Sequence, residues 1–245
     1  MYMDKYRGKV IALCGYNAAC NTTDENLADH STLITYAAAR AAAKVQVSCA
    51  NAADAAAGTG ARKIKICGLD ADYMFQSEEI TLNGQAYVES ALSYRSVFSA
   101  EVSSAGTGLT NAGIIYIIIT GTGGALTAGV PATLTSQWIQ ILAGASIGTS
   151  GLFTVPAGSK ARLIRMQASG MAQPCILSVW SCDQADGVLK RDEIYGIGSN
   201  QNLDEEIDRR LDIEYPEKVD IYLRGLSTTA AGRIAAKATF EITGA

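Results

Sequence analysis

The sequence predicts an all-β protein: tandem antiparallel modules of the β-sandwich or jelly-roll kind, with an extended N-terminal arm. Three observations carry that reading. Short runs alternate apolar and polar residues at period two, as in Lys63-Ile64-Lys65-Ile66, the mark of a half-buried antiparallel strand. Turn residues punctuate the runs: Asn83-Gly84, Gly121 to Gly124, Pro156-Ala157-Gly158 and Pro216 all favour tight reversals. No sustained amphipathic helix separates the strands, and no short-period repeat points to a propeller or solenoid. Alanine, 24 glycines and only 7% aromatics suit thin β layers with many turns.

Residues 1–43 read as the arm. They hold a short strand (Lys9 to Leu13), a polar loop through Asp24 to His30, and the alanine-rich Thr35 to Lys44. That last piece has strong helix propensity but no apolar stripe, so it is equally suited to run extended along a neighbour. Residues 44–126 read as the first β-sandwich module. Its strands are VQVSCA, the hairpin KIKICG and EEITLNG, then YRSVFSAEVSS and GIIYIIITG. Residues 127–150 read as a linker, and residues 151–245 as a second sandwich or jelly-roll module. That module opens on LFTVPAGSKARLIRMQAS and continues through CILSVWSCD, an acidic loop before Pro216, VDIYLRGLS and ATFEITG.

With 245 residues and 48% apolar content, the chain has enough material for one large β domain or two modules with proper cores. A net charge of −4 offers no general attraction to nucleic acid, so direct nucleic-acid binding is not expected. The longest apolar run, Gly113 to Ile119, has the length of a buried strand rather than the ~18 residues of a membrane span. The N-terminal MYMDKYRGKVIALC is too short in apolar residues for a signal sequence. Leu13 before Cys14 excludes lipoprotein cleavage, which needs a small residue there. A soluble, unprocessed chain without membrane contact is expected.

Gly144-Ala145-Ser146-Ile147-Gly148 fits the G-x-S-x-G nucleophile elbow, but a strand rather than a helix follows it. The sole histidine, His30, lies in a polar N-terminal loop, so the reading is a glycine-rich linker. Gly58-Thr59-Gly60 and Gly121-Thr122-Gly123-Gly124 lack the GK[ST] ending and the following helix of phosphate loops, and read as turns. Asp70-Ala71-Asp72 begins like a calcium loop, yet Met74 and Phe75 stand where a ligand and the glycine belong. The cluster Asp204, Glu205, Glu206, Asp208 reads as a solvated loop paired with Arg209 and Arg210. Asn21-Thr22-Thr23 fits a glycosylation sequon, which needs a secretory route to matter. Cys14, Cys20, Cys49, Cys67, Cys175 and Cys182 have no zinc spacing, and a disulfide framework is disfavoured without a secretion signal. No catalytic, cofactor-binding or metal residue is assigned, and no cofactor is expected.

Several phrases, in order and spacing, resemble a family of virion structural proteins of marine tailed bacteriophages. They are GYNAACNTTDENLAD, NAADAAAGTGARKIKICGLDADYMFQSEEITLNG, SYRSVFSAEVSSAGTGLTNAG, LFTVPAGSKARL and YPEKVDIYLRG. The resemblance spans nearly the whole chain; the AAGTGAR…GLD…TLNG phrase is its most specific part. It departs from the family's pattern in its cysteines, in the stretch containing Trp138, and in the acidic segment before Pro216. The resemblance implies a non-enzymatic component of the virus particle, assembled in the host cytoplasm and resident in the virion. Its implied role is a head decoration or cement protein that binds the major capsid protein or other virion proteins and self-associates as a homotrimer. A tail, neck or fibre component touching the host surface is the other role it implies.

Overall fold

The computed structural model describes residues 9–28, 40–185, 187–207, 213–229 and 232–244. Among them every regular element is a strand, and every named strand pairing is antiparallel. The chain divides into two compact units: a central module of residues 40–150, and a terminal module that joins the N-terminal residues to residues 151–245.

The terminal module takes its first strands, β1 (Lys9–Cys20) and β2 (Glu25–Asn26), from the start of the chain. The central module follows with β3 (Ala43–Cys49), β4 (Ala61–Leu69), β5 (Phe75–Thr81), β6 (Val88–Tyr94) and β7 (Ser96–Ala105). It continues with β8 (Ile115–Ile119), β9 (Leu126–Thr127), β10 (Val130–Pro131), β11 (Gln137–Ile141) and β12 (Ile147–Thr149).

Two four-stranded sheets build the central module, in the orders β11-β8-β3-β6 and β12-β7-β4-β5. The hairpin expected from KIKIC and EEIT is β4 against β5, with Ile64 opposite Ile80 and Lys65 opposite Glu79. Ile64 and Ile66 are fully buried while Lys63 is exposed, as period-two alternation requires. With Val45, Val47, Ile117 and Ile139 from the other sheet they form the core. Each such side chain contributes ~1.5–3 kcal/mol by leaving water. The YRSVFSAEVSS run is not one strand: it breaks at Arg95, which turns the chain from β6 in one sheet to β7 in the other. The Arg95 amide donates to the Leu69 carbonyl at 2.8 Å, and its guanidinium stacks 4.6 Å from the Tyr73 ring centre.

The stretch 127–150, expected as a linker, belongs to the central module. Ala128 and Gly129 both take positive φ (48° and 79°) and make the two-residue reversal between β9 and β10, the geometry such hairpins need. β11 then pairs with β8, and β12 with β7. Its Gly, Ala and Thr content suggested a linker, but these short strands are defined by partners far away in sequence.

The terminal module adds β13 (Leu152–Thr154), β14 (Ser159–Met171), β15 (Cys175–Asp183) and β16 (Leu189–Ile197). It ends with β17 (Asn202–Glu206), β18 (Glu214–Tyr215), β19 (Val219–Ser227) and β20 (Gly232–Gly244). One sheet runs β1-β20-β14-β17 with β18 beside β14; the other runs β13-β19-β15-β16 with β2 beside β19. β20 alternates faultlessly, with Ile234, Ala236, Ala238, Phe240 and Ile242 buried. β14 carries a bulge between Leu163 and Arg165, which absorbs the extra residue Ile164 and keeps Leu163 and Met166 both buried.

Residues 9–28 correct the expected arm. β1 pairs with β20 from Lys9 opposite Ile242 to Cys20 opposite Gly232. The polar loop hides an anchor, since Leu27 is fully buried and its amide donates to the Leu223 carbonyl at 2.8 Å. A side chain at Gly15 or Gly151 would collide with the Leu27 carbonyl, so both glycines are there for close approach. The alanine-rich stretch lies outside the described residues up to Arg40, from which the chain enters β3.

Candidate functional site

The residues flagged for chemistry serve turns and strand pairs. Ser146 sits at φ 60° in the reversal from β11 to β12, where the Ala145 amide donates to Leu142 at 3.0 Å. A three-residue strand follows, not a helix. The sole histidine, His30, lies outside the described residues. The Gly58 and Gly60 amides donate to the Ala55 and Ala53 carbonyls at 2.8 and 3.0 Å. In the second glycine loop, Gly121 donates to Gln46 Oε1 at 3.3 Å and Thr122 to the Ile119 carbonyl. These amides are therefore engaged within the fold.

Asp70 Oδ1 accepts the Asp72 and Met74 amides, both at 2.9 Å. This is the Asx turn that closes the β4–β5 hairpin. The acidic loop is in part the strand β17, and its described cation is Arg165 rather than Arg209 or Arg210, which lie outside the described residues. Arg165 grips Asp204 through Nε and Nη2 at 2.8 and 2.7 Å, a bidentate pair. Those hydrogen bonds hold the Asp204 carboxyl below its ordinary pKa. Asn21 donates to Glu25 Oε1 at 2.6 Å. Among the described residues no group of three or more His, Cys, Asp or Glu side chains could hold a metal.

All six cysteines are thiols. Burial pushes Cys20 and Cys49 up to about 12, with Glu25 and Asp54 adding smaller contributions in turn. Both are therefore poor nucleophiles at neutral pH.

Two buried carboxylates were missed by sequence reasoning. Asp54 is fully buried. Its Oδ1 accepts the amides of Ala61 and Ala112 at 2.7 and 2.8 Å, and its Oδ2 that of Gly113 at 2.8 Å. One side chain thus fastens the NAADAAAGTGAR phrase to the TNAG phrase. The signal for it was a lone acid in an otherwise uncharged Ala/Gly loop. Asp220, also fully buried, accepts from Thr154 Oγ1 at 2.6 Å, from Tyr222 Oη at 2.9 Å and from Gln184 Nε2. No sequence pattern marked it.

The described cavity with a mixed lining lies in the central module. It has a volume of about 240 Å³ and is bounded by Arg40, Tyr94, Ile119, Thr135, Ser136 and Trp138. Arg40 lies 5.2 Å from the Trp138 ring centre, and its Nε donates to the Arg95 carbonyl at 3.4 Å. The Arg95 guanidinium returns a hydrogen bond to the Arg40 carbonyl. Arg40 in the lining is thus braced by Arg95 and lies over Trp138. A second aromatic–arginine cluster, with Arg224 and Arg191 at 4.8 and 5.6 Å from the Trp180 ring centre, lies in the terminal module. Arg224 also donates to the Asp24 carbonyl at 2.7 Å, which ties the N-terminal residues to β19.

Fold and site together define a two-module, all-β protein whose described polar residues are largely committed to its scaffold. No protein-family model and no curated protein matches the chain. Among solved structures, the crystal structure of the T13 IBDV viral particle aligns with 97% of this chain and 75% of that one, at 7% identity and a TM-score of 0.20. A likeness that slight carries no argument about fold or function. No described helix is long and apolar enough to cross a membrane.

Proposed function

We propose that this chain is a non-enzymatic structural protein of a virus particle, a head decoration or cement protein. It binds the assembled shell through the major capsid protein or other virion proteins, and it self-associates as a homotrimer. The support is the ordered series of phrases that resembles virion structural proteins, together with what those phrases do in the fold. Gly58, Gly60 and Gly84 of the most specific phrase, with Asp54 just before it, are spent on one fastening. The VPAG and YPEK phrases meet where Glu217 Oε2 accepts the Gly158 amide at 2.5 Å. Phrases spent on rigid fastenings suit a binder that is already ordered when it docks and so loses little entropy.

A ligand that binds the lattice better than free shell subunits must stabilise the lattice. Particles depleted of the protein should therefore assemble, yet rupture at lower temperature than complete ones, and added protein should restore the difference saturably. Quantitative mass spectrometry of purified virions gives the copy number alongside. Many copies per shell with a restored rupture temperature bears the reading out. A few copies, and depleted particles that are robust but fail to attach to cells, place the chain in the tail, neck or fibre.

A further inference from the structure

We infer that the central module self-associates head to tail, seating an apolar knob at one end of β11 in the cavity at the other end of β11 on a second copy. The inference rests on the self-association proposed above and names its surfaces. The knob is Leu109, Ile147 and Leu142, which are 82%, 54% and 42% exposed. Leu109 and Leu142 sit on two loops and Ile147 opens β12 just past the second, and Asn111, 1% exposed, staples the loops together. Its Nδ2 donates to the carbonyls of Gly113 and Leu142, both at 2.8 Å, and its Oδ1 accepts the Ser146 amide at 3.1 Å. Its own carbonyl accepts the Gly144 amide at 3.0 Å. Leu109 and Ser146 are held at φ 64° and 60°, a region that bulky residues seldom enter. Large apolar side chains held in water on a stapled, strained base point to a role outside the module's own core.

The receiving surface is the cavity beside Arg40 and Trp138. At about 240 Å³ it falls below the ~300–1,000 Å³ of small-molecule pockets, a size that favours a few aliphatic side chains over a cofactor. Tyr94 and Trp138 are 1% and 3% exposed, so its floor is set by the core. β11 spans five residues, with the cavity residues Ser136 and Trp138 at its start and Leu142 just past its end. Knob and cavity are thus distinct surfaces.

Charge selects a second copy as the occupant. From Val102 through Ser159 the chain has no Asp, Glu, Lys, Arg or His, so all 20 basic and 24 acidic side chains lie elsewhere. Copies of net charge −4 repel one another in general, whereas the charged residues next to the two surfaces are opposite in sign, the exposed Glu101 across from Ile147 and Arg40 in the cavity lining. Depletion of Lys, Glu and Asp is also the compositional mark of interface cores. A lipid surface would call for basic residues beside the knob, and the residue paired with Ile147 is instead the exposed acid Glu101. Because knob and cavity differ, the contact is heterologous, and it closes into a ring such as a trimer or runs on as a filament.

Sedimentation of the full chain tests this. Wild type should self-associate, and Leu109→Asp/Ile147→Asp should weaken association about tenfold or more, as loss of interface anchors does. Thr135→Trp, which blocks the cavity mouth from an exposed position, should do the same. Circular dichroism should match wild type for both, and so should melting curves taken at concentrations where wild type is itself monomeric, since association raises its melting temperature. Mixing the two variants should restore a dimer but nothing larger, because one intact knob and one intact cavity remain between them. Wild type that stays monomeric overturns both this inference and the self-association reading. Wild type that associates while either variant associates equally well overturns only the surfaces named here. Separately impaired variants that stay monomeric when mixed show a symmetric contact and overturn the head-to-tail arrangement.

Discussion

The central module completes its sheets with strands drawn from one continuous stretch, residues 40–150, whereas the terminal module needs both ends of the chain. In the first, the β4–β5 hairpin closes over five loop residues, and the most distant strand pairing is β3 with β8. In the second, Lys9 pairs with Ile242 and Glu25 with Gly225. The difference teaches where each module is vulnerable. One can be nucleated locally, while the other gains its last strands only after a long loop has been closed, which is slow and entropically costly.

The sharpest way to break this comparison is to delete residues 1–28. The terminal module should lose its cooperative thermal transition, having lost β1, β2 and Leu27, while the central module keeps its own. Differential calorimetry with amide exchange of the two halves checks this. Retention of both transitions would show that residues 1–28 are an accessory arm after all.

Next in size is Asp54→Ala in the central module, which strands two buried amides and one part-buried amide and, at ~1–3 kcal/mol for each buried one, should cost ~3 kcal/mol or more by denaturant unfolding. Asp54→Asn keeps one acceptor oxygen and should lose less. Asp220→Ala in the terminal module should cost less than Asp54→Ala, because two of its donors, Thr154 Oγ1 and Tyr222 Oη, are hydroxyls that can rotate toward other acceptors. Equal losses at the two sites would remove that distinction. Leu27→Ala should cost ~2–4 kcal/mol, the range for a buried leucine that leaves a cavity. That loss should fall on the terminal module's transition alone.

The smallest expected effect treats the modules alike. Cys20 in one and Cys49 in the other have folded pKa values raised from 9.0 to about 12. Unfolding therefore releases protons above pH 9, so the stability each thiol contributes is complete below pH 9 and is lost as pH rises toward 12. Cys20→Ser and Cys49→Ser should each flatten the alkaline limb of the pH–stability curve of their own module. An unchanged slope in both would show that the thiols do not set it.

Much of the fold was legible because it is local. The alternation of Ile64 and Ile66 with Lys63 and Lys65 placed β4, and Asn83-Gly84 placed the turn after β5, where Gly84 has φ 59°. The reading of Gly144 to Gly148 as a glycine-rich linker rested on the strand pattern that follows; β13 is present, but Gly144 to Ser146 form a reversal and Ile147-Gly148 belong to β12. What went unread was non-local. β12 is three residues long and gains its identity from Ser99 to Glu101 across the sheet. β17 read as a solvated loop because its acids are exposed, yet its backbone completes the edge beside β14. Among the candidate-site residues, Trp138 was noticed only as a departure from the family pattern; nothing in sequence brings it to Arg40.

By itself, then, the sequence determined the strand character, the turn positions and the binary inside–outside pattern, because these follow from period, propensity and allowed φ within a few residues. Only the tertiary structure decided that residues 9–20 are an edge strand rather than an arm, that residues 127–150 are part of a sandwich, and that Asp54 is a fastening. The physical reason is common to all three. A backbone edge or a buried carboxylate is defined by the partner that satisfies its hydrogen bonds, and here the partners lie from seven residues away, as Ala61 does from Asp54, to most of the chain away, as Ile242 does from Lys9.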